Sequence, residues 1–85
     1  MWGGVVDMPP NTDSGDYYYH EGEEFVFVLD GQVTFMLEGA PDYCLNPGDT
    51  LYYPNEIGHR WENASDTPAK FLIVSTSEFK NSSED

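Results

Sequence analysis

Three side chains with the chemistry of metal ligands stand out in the sequence: His20, Glu24 and His59. His20 and His59 are the only two histidines of the chain, and Glu24 lies four positions after His20. Two imidazoles and one carboxylate form the facial triad of non-haem iron sites, which leaves coordination positions open for a substrate. The pattern therefore indicates a divalent metal site, or else polar residues on the rim of a small β-domain.

The spacing around His20 favours a metal site only when His59 is included. Residues two apart on a strand share a face, so Tyr18 and His20 are expected to point the same way. Gly22 marks a tight turn, and Glu24 begins the next predicted strand. Two strand ends that meet at a turn could aim both ligands at one point, and His59 begins a later strand that could lie beside them.

The elements that must position these residues are short β-strands. The sequence shows no helical periodicity, and clusters of Gly, Pro, Asn and Asp separate runs rich in Val, Ile, Thr, Phe and Tyr. This pattern is typical of an all-β sandwich or barrel. We predict strands over residues 2–8, 17–20, 24–29, 32–38, 43–45, 50–53, 59–63 and 69–76.

Two turns are specified most clearly by their residues. Asp30-Gly31 predicts a hairpin between residues 25–29 and 33–37, because Asp-Gly is favoured where both central residues of a turn need positive φ. The Asn-Pro-Gly-Asp sequence at residues 46–49 predicts a type II turn, since proline presets the first central φ and glycine supplies the positive φ.

The composition limits the classes of function. The 85 residues carry a net charge of −13, from 16 acidic side chains against three Lys and Arg. So few cations argue against binding to nucleic acid and against an anionic membrane surface. Cys44 is the single cysteine, which excludes an intrachain disulfide and favours a reducing, cytoplasmic location. Its neighbours Tyr43 and Leu45 predict a buried thiol side chain.

A chain of this length forms one domain with a thin core. We assign residues 1–80 to that domain and the unpatterned polar residues 81–85 to a disordered tail. The longest run of large apolar residues, Phe25 to Leu29, is too short to span a bilayer. The aromatic surplus and the thin core predict a homodimer, in which the apolar residues opposite Glu24 are covered by a second sheet or subunit.

The stretch HEGEEFVFVLDG resembles the first motif of the cupin superfamily. Glu24 is followed after six residues by Gly31, and His20 stands ahead of Glu24, as in that motif. Tyr18 occupies the position of the motif's first histidine. The resemblance therefore implies three ligands, with Tyr18 on the cavity wall.

The stretch GDTLYYPNEIGHRWEN resembles the second cupin motif. Pro54 follows Gly48 after five residues, and His59 and Asn63 come next at the expected spacing. The likeness covers residues 14–76 and is greatest to the C-terminal sensor domains of helix-turn-helix regulators and to single-domain cupins. Because cupin domains usually carry more β-structure ahead of this region, we expect some N-terminal strands to be lacking.

The resemblance implies a small cupin β-barrel, or double-stranded β-helix of jelly-roll type, with one divalent ion held by His20, Glu24 and His59. Iron, manganese, nickel and zinc all accept this ligand set. A small-molecule ligand would be bound in a pocket that we expect to be lined by Tyr18, Phe35, Tyr53 and Trp61.

Two classes of function remain open from the sequence. One is a binding module, such as a ligand sensor or storage site, as the likeness to regulator domains implies. The other is a metal-dependent enzyme, such as a dioxygenase, isomerase or epoxidase, whose catalytic residues are unknown. An enzyme would be helped by a second acid or base, and Tyr18, Tyr53 or Glu56, which replaces a motif glycine, would have to supply it. This shortage of catalytic groups favours the binding module.

Overall fold

The computed structural model describes residues 1–76, which form eight β-strands and no helix. The strands are β1 (Trp2–Met8), β2 (Thr12–Asp13), β3 (Glu23–Asp30), β4 (Val33–Leu37), β5 (Tyr43–Leu45), β6 (Thr50–Pro54), β7 (His59–Asn63) and β8 (Ala69–Ser75). The predicted all-β class is therefore confirmed. None of these residues belongs to a helix that could cross a membrane. The predicted tail, 81–85, lies outside the described residues.

The strands form two antiparallel four-stranded sheets. The first sheet has the order β1-β8-β3-β6, and the second has the order β2-β7-β4-β5. Every connection except β4 to β5 carries the chain from one sheet to the other. The two sheets share one core, and together they make the small jelly-roll barrel that the sequence predicted.

The core lies between the inward faces of the sheets, where alternate residues of β3, β4 and β8 are buried. Its apolar members are Met8, Val26, Val28, Val33, Phe35, Leu37, Leu45, Tyr53, Ala69, Phe71 and Ile73. A carboxylate and an imidazole share this buried environment, Glu24 at 4% exposure and His59 at 1%. Because burying such groups is unfavourable unless they have partners, their surroundings carry the functional information in this fold.

The hairpin predicted at Asp30-Gly31 is wrong. β3 pairs with β6 and β8, whereas β4 pairs with β5 and β7. Gly31 has a φ of +74°, but Asp30 does not have the positive φ that this hairpin turn also needs. A side chain at Gly31 would collide with the carbonyl oxygen of Pro68. The glycine therefore allows two backbone segments to approach closely where the chain crosses between the sheets.

The turn predicted at residues 46–49 is confirmed. Gly48 has a φ of +92°, and the Asp49 N–H donates a 2.9 Å hydrogen bond to the Asn46 carbonyl oxygen. This turn carries the chain from β5 in the second sheet to β6 in the first.

The predicted strand at 17–20 is not a continuous strand. Residues 14–20, called the strap below, run beside β7 and are joined to it at two points. Ser14 exchanges hydrogen bonds with Trp61, and Tyr18 forms an isolated bridge with His59. Between these points the Arg60 side chain donates to a strap carbonyl oxygen. A side chain thus takes the place of backbone pairing there, so the ladder is interrupted.

The expectation that Cys44 is buried is also wrong, because its side chain is exposed. Cys44 pairs with Thr34, whereas its neighbour Leu45 pairs with the buried Val33. Since successive residues of a strand point to opposite faces, the inward position of Leu45 places Cys44 on the outside.

The outward side of the first sheet carries a continuous group of large apolar side chains, called the apolar face below. Phe25 and Leu29 are each 43% exposed, and Tyr52 is 57% exposed. Phe25 lies in register with Tyr52 on one side and Val74 on the other. The face consists of Val5, Phe25, Phe27, Leu29, Tyr52, Leu72 and Val74.

Candidate metal centre

The fold brings His20, Glu24 and His59 together from three separate elements. His20 ends the strap, Glu24 lies in β3, and His59 is the first residue of β7. One nitrogen or oxygen atom from each lies within 4.8 Å of the other two. Nε2 of His20 is 3.5 Å from Oε2 of Glu24, and Nε2 of His59 is 3.8 Å from Oε1. Each histidine therefore faces a different oxygen of the same carboxylate.

Backbone carbonyl oxygens determine how the two imidazole rings are turned. Nδ1 of His59 lies 2.8 Å from the carbonyl oxygen of Ile57, and Nδ1 of His20 lies 3.2 Å from that of Glu21. Because a carbonyl oxygen only accepts, these contacts suit a ring proton on Nδ1, which would leave Nε2 of each ring as the atom to bind an ion beside Glu24. Metal-binding histidines are usually held in this way.

Tyr53 holds Glu24 from the core side. Its hydroxyl group donates a 2.6 Å hydrogen bond to Oε1 of Glu24, and its side chain is 1% exposed. Burial first, and then the hydrogen bond to Glu24, raise the pKa of the Tyr53 phenol far above its ordinary value. The phenol therefore stays protonated and serves as a permanent donor to the carboxylate.

Tyr19 fastens the strap next to His20. Its hydroxyl group lies 2.9 Å from both carboxylate oxygens of Glu38, and this hydrogen bond raises the pKa of the Tyr19 phenol. A side chain at Gly58 would come within 2.8 Å of the Tyr19 ring and 2.9 Å of Glu38 Oε1. The glycine therefore leaves room for this contact. Because His20 is 27% exposed, the most of the three, it gains most from such a restraint.

A cavity of about 250 Å³ opens onto the cluster. Apart from the three cluster members, its lining is mainly apolar and aromatic. Tyr18 is the one other residue of the lining with a hydroxyl group, and it donates a 2.7 Å hydrogen bond to the Ser14 carbonyl oxygen. The lining residues are Trp2, Val6, Tyr18, His20, Glu24, His59, Trp61 and Ile73.

Of the four predicted pocket residues, Tyr18 and Trp61 line this cavity. Phe35 and Tyr53 lie in the core instead, because both point between the sheets and are at most 1% exposed. The Phe35 ring contacts those of Tyr53, Trp61 and Phe71 at centroid distances of 6.2, 5.5 and 5.3 Å. These two residues therefore form a layer that supports the cavity and the cluster from below.

The sequence prediction missed Trp2, Val6 and Ile73 as cavity residues. Alternation along β1 already placed Trp2 and Val6 on one face. Which face points inward depends on the pairing of β1 with β8, which joins the two ends of the described chain. Local sequence patterns do not specify a pairing between such distant segments. The contact between Tyr19 and Glu38, which holds the strap next to His20, was missed because these residues are also far apart in the sequence.

The donor set fits a divalent ion of the first transition series. Two imidazole nitrogens and one carboxylate suit iron, manganese, nickel and zinc. The hydrogen bonds that orient His20, His59 and Glu24 come from groups outside the set, as in established metal sites. The cluster could therefore hold a metal ion.

Comparison with known proteins agrees with the fold. The chain is 41% identical over 73 residues to dimethylsulfoniopropionate lyase DddQ of Ruegeria pomeroyi, covering 82% of this chain and 34% of the lyase. The crystal structure of that lyase superposes with a TM-score of 0.80 at 28% identity, over 94% of this chain and 40% of that one. A sugar phosphate isomerase of the cupin superfamily from Silicibacter pomeroyi superposes with a TM-score of 0.76 at 30% identity, over 89% and 50% of the two chains.

The chain spans 34% of the curated lyase and 50% of a second curated relative, protein SchB of Streptomyces halstedii. The shared region is the barrel itself. Residues 4–75 match the family described as Cupin domain, which is nearly the whole described chain. The chain therefore belongs to the cupin family.

Proposed function

We propose that this cupin domain holds one divalent ion on His20, Glu24 and His59 and binds a small organic molecule in the adjoining cavity. The observation that carries the proposal is the convergence of two Nε2 atoms on the two oxygens of one buried carboxylate. A carboxylate and two imidazoles with a purely structural role would not need to direct their ligand atoms toward one point. Iron, manganese, nickel and zinc are the candidate ions.

The chain's own residues orient the site. A bound ion of this kind supplies Lewis acidity and open coordination positions. Tyr53 keeps the carboxylate turned toward the histidines, and the carbonyl oxygens of Ile57 and Glu21 keep the imidazoles turned toward the carboxylate. Trp61, 5.5 Å from Phe35 by ring centroid, closes the cavity toward the core.

A binding role, as in a ligand sensor or storage module, is favoured by the shortage of groups that can move a proton. The Tyr53 hydroxyl group donates its hydrogen bond to Glu24, and the high pKa of its phenol makes it a poor acid. Glu56 is exposed and does not line the cavity. Tyr18 remains, and its hydroxyl group is already hydrogen-bonded to Ser14.

A metal-dependent enzyme is the second candidate, and the 41% identity to a dimethylsulfoniopropionate lyase favours it. In that case Tyr18 is the residue of the cavity wall that would exchange a proton with the substrate. Turnover of dimethylsulfoniopropionate or of small keto acids, abolished by Tyr18→Phe, would establish the enzyme. Metal-dependent binding without turnover would establish the binding module.

We further propose that the domain acts as a homodimer in the cytoplasm, with the apolar face of each copy against the other. The centre of this face is free of charge, and Glu23 lies at one end with Asp7 and Lys70 at the other. An apolar centre with a charged rim is typical of specific protein interfaces. The acidic surface elsewhere gives no support to nucleic acid or membrane binding.

The binding proposal can be tested with cobalt(II), whose visible spectrum reports its ligands. The Co(II)-loaded protein is titrated with 2-hydroxy-5-methylhexanoate, a small molecule with two neighbouring oxygen donors. We expect a saturable spectral change that is absent in Glu24→Gln. A cobalt spectrum that is insensitive to this and to other small oxygen ligands would contradict an open, ligand-binding metal centre.

A further inference from the structure

The cavity next to the cluster has no cationic side chain in its wall. Beyond the three cluster residues, its wall consists of Trp2, Val6, Tyr18, Trp61 and Ile73, with no lysine or arginine. We propose that the cavity takes molecules with one oxygen-bearing head and a tail that carries no negative charge. It excludes dicarboxylates and phosphorylated molecules. This inference rests on the proposed metal site, which would bind the head.

Both cationic side chains among residues 1–76 are engaged away from the cavity. Arg60 follows His59 on β7 and so points to the opposite face. Its Nε donates to the Gly15 carbonyl oxygen at 2.8 Å, and another of its nitrogens lies 4.0 Å from a carboxylate oxygen of Asp13. Lys70 lies 3.8 Å from Asp7 on the exposed side of the first sheet.

A second anionic group on a ligand would therefore meet no cationic side chain of residues 1–76. The head of the ligand can be neutralised at the cluster, but the tail must lie against Trp2, Val6, Trp61 and Ile73. Moving a carboxylate from water to apolar surroundings is strongly unfavourable unless it gains a charged or hydrogen-bonding partner. The net charge of −13 adds a repulsive potential for any multiply charged anion that approaches.

The volume of the cavity limits the size of the ligand tail that can fit inside it. Its volume of about 250 Å³ corresponds to roughly eight water molecules at about 30 Å³ each. A branched aliphatic or single-ring tail fits this space. The aromatic wall formed by Trp2, Tyr18 and Trp61 favours contact with such a tail over contact with a hydrated group.

Two matched probes test the inference. 2-Hydroxy-5-methylhexanoate and 2-hydroxyglutarate share one α-hydroxy acid head, and the first has an isopropyl group where the second has its other carboxylate. Calorimetric titration of the metal-loaded protein should give about 10- to 100-fold weaker binding for 2-hydroxyglutarate, the range expected for a buried charge without a partner. Metal content is measured on the same samples.

A charge introduced into the wall should reverse the preference. Val6 lines the cavity from the edge strand β1 and is partly exposed, so Val6→Lys can place an ammonium group beside the tail. We expect this variant to gain affinity for 2-hydroxyglutarate relative to 2-hydroxy-5-methylhexanoate. Val6→Met, which adds length without charge, should keep the wild-type order.

The outcomes separate this inference from the proposed function. Equal affinity for the two probes in metal-loaded protein, or a preference for 2-hydroxyglutarate, contradicts charge selection and leaves the metal site standing. Failure of both probes to bind metal-loaded protein also contradicts the inference. Failure to bind any metal contradicts the proposed function itself. The wild-type comparison decides the matter even if Val6→Lys does not fold.

Discussion

The hydroxyl group of Tyr53 donates a 2.6 Å hydrogen bond to Oε1 of Glu24, the same oxygen that lies 3.8 Å from Nε2 of His59. One carboxylate oxygen thus connects the core of the barrel to the candidate metal centre. The pairing of β3 with β6 sets up this contact, because Glu24 and Tyr53 are direct partners across the two strands. The site is therefore oriented by the first sheet and completed by the strap and the second sheet.

Tyr53→Phe should weaken metal binding without removing a ligand. The variant loses the donor that orients Glu24, and losses of this kind typically reduce metal affinity about 10- to 100-fold. It should also lower the free energy of unfolding by about 1–3 kcal/mol, since a buried carboxylate loses its hydrogen bond. Competition with a chromogenic chelator measures the affinity. Tyr52→Phe, at the next position on the outward face, is the matched control and should leave metal affinity unchanged.

Tyr19→Phe should speed the loss of metal while affecting thermal stability little. The variant removes the hydrogen bond between the strap and Glu38, so His20 is held less firmly. Stopped-flow transfer of the ion to a chelator should show a several-fold faster release, with the melting temperature of the apo-protein nearly unchanged. The separate variant Glu38→Gln, which keeps an acceptor oxygen for the Tyr19 hydroxyl group, should keep most of the wild-type rate. Equal release from Tyr19→Phe and wild type would show that the contact does not position His20.

Tyr18→His should convert the three-residue site into a four-residue site. Tyr18 lines the cavity with His20 and His59, and its ring lies 6.3 Å from that of His59 by centroid. An imidazole at this position should slow the release of metal to a chelator. Tyr17→His places the same group one residue earlier, at a side chain that does not line the cavity, and should have no effect. Unchanged release from Tyr18→His would mean that position 18 does not reach the ion.

Phe25→Glu should separate the predicted homodimer into monomers. The substitution places a charge within the apolar face, beside Tyr52 and Val74, where the interface would have to bury it. Sedimentation velocity at micromolar concentration should show the wild type as a dimer and the variant as a monomer. Cys44→Glu adds a charge to the exposed side of the second sheet and should leave the dimer intact. A wild-type protein that sediments only as a monomer would refute the predicted assembly.

The sequence predicted the fold class and most strand positions, because alternation and turn residues are local signals. The Gly48 turn illustrates this, since its four residues contain all the information that the turn needs. The Asp30-Gly31 turn shows the limit. Its local sequence is that of a hairpin, but the inward faces of β3 and β4 belong to opposite sides of one core. Burial of both faces decides against the local preference.

The candidate site also has a part that the sequence predicts and a part that depends on long-range pairing. His20, Glu24 and His59 could be named from residue type and spacing, since few residue types bind metals. The groups that orient them could not, because Tyr53, Tyr19 and Glu38 are ordinary residues whose role depends on long-range pairing. The cavity wall contributed by β1 depends likewise on its pairing with β8.

Metal content is the most direct test of the account. The protein is purified without chelators, analysed for its elements, and then dialysed to equilibrium against iron(II), manganese, nickel and zinc in turn. We predict one divalent ion per chain in the wild type, and little or none in Glu24→Gln and His59→Ala, because two remaining ligands are too few to retain it. Wild-type protein that arrives without metal and takes up none on dialysis would contradict the account, and His20, Glu24 and His59 would then be no more than polar residues beside an apolar cavity.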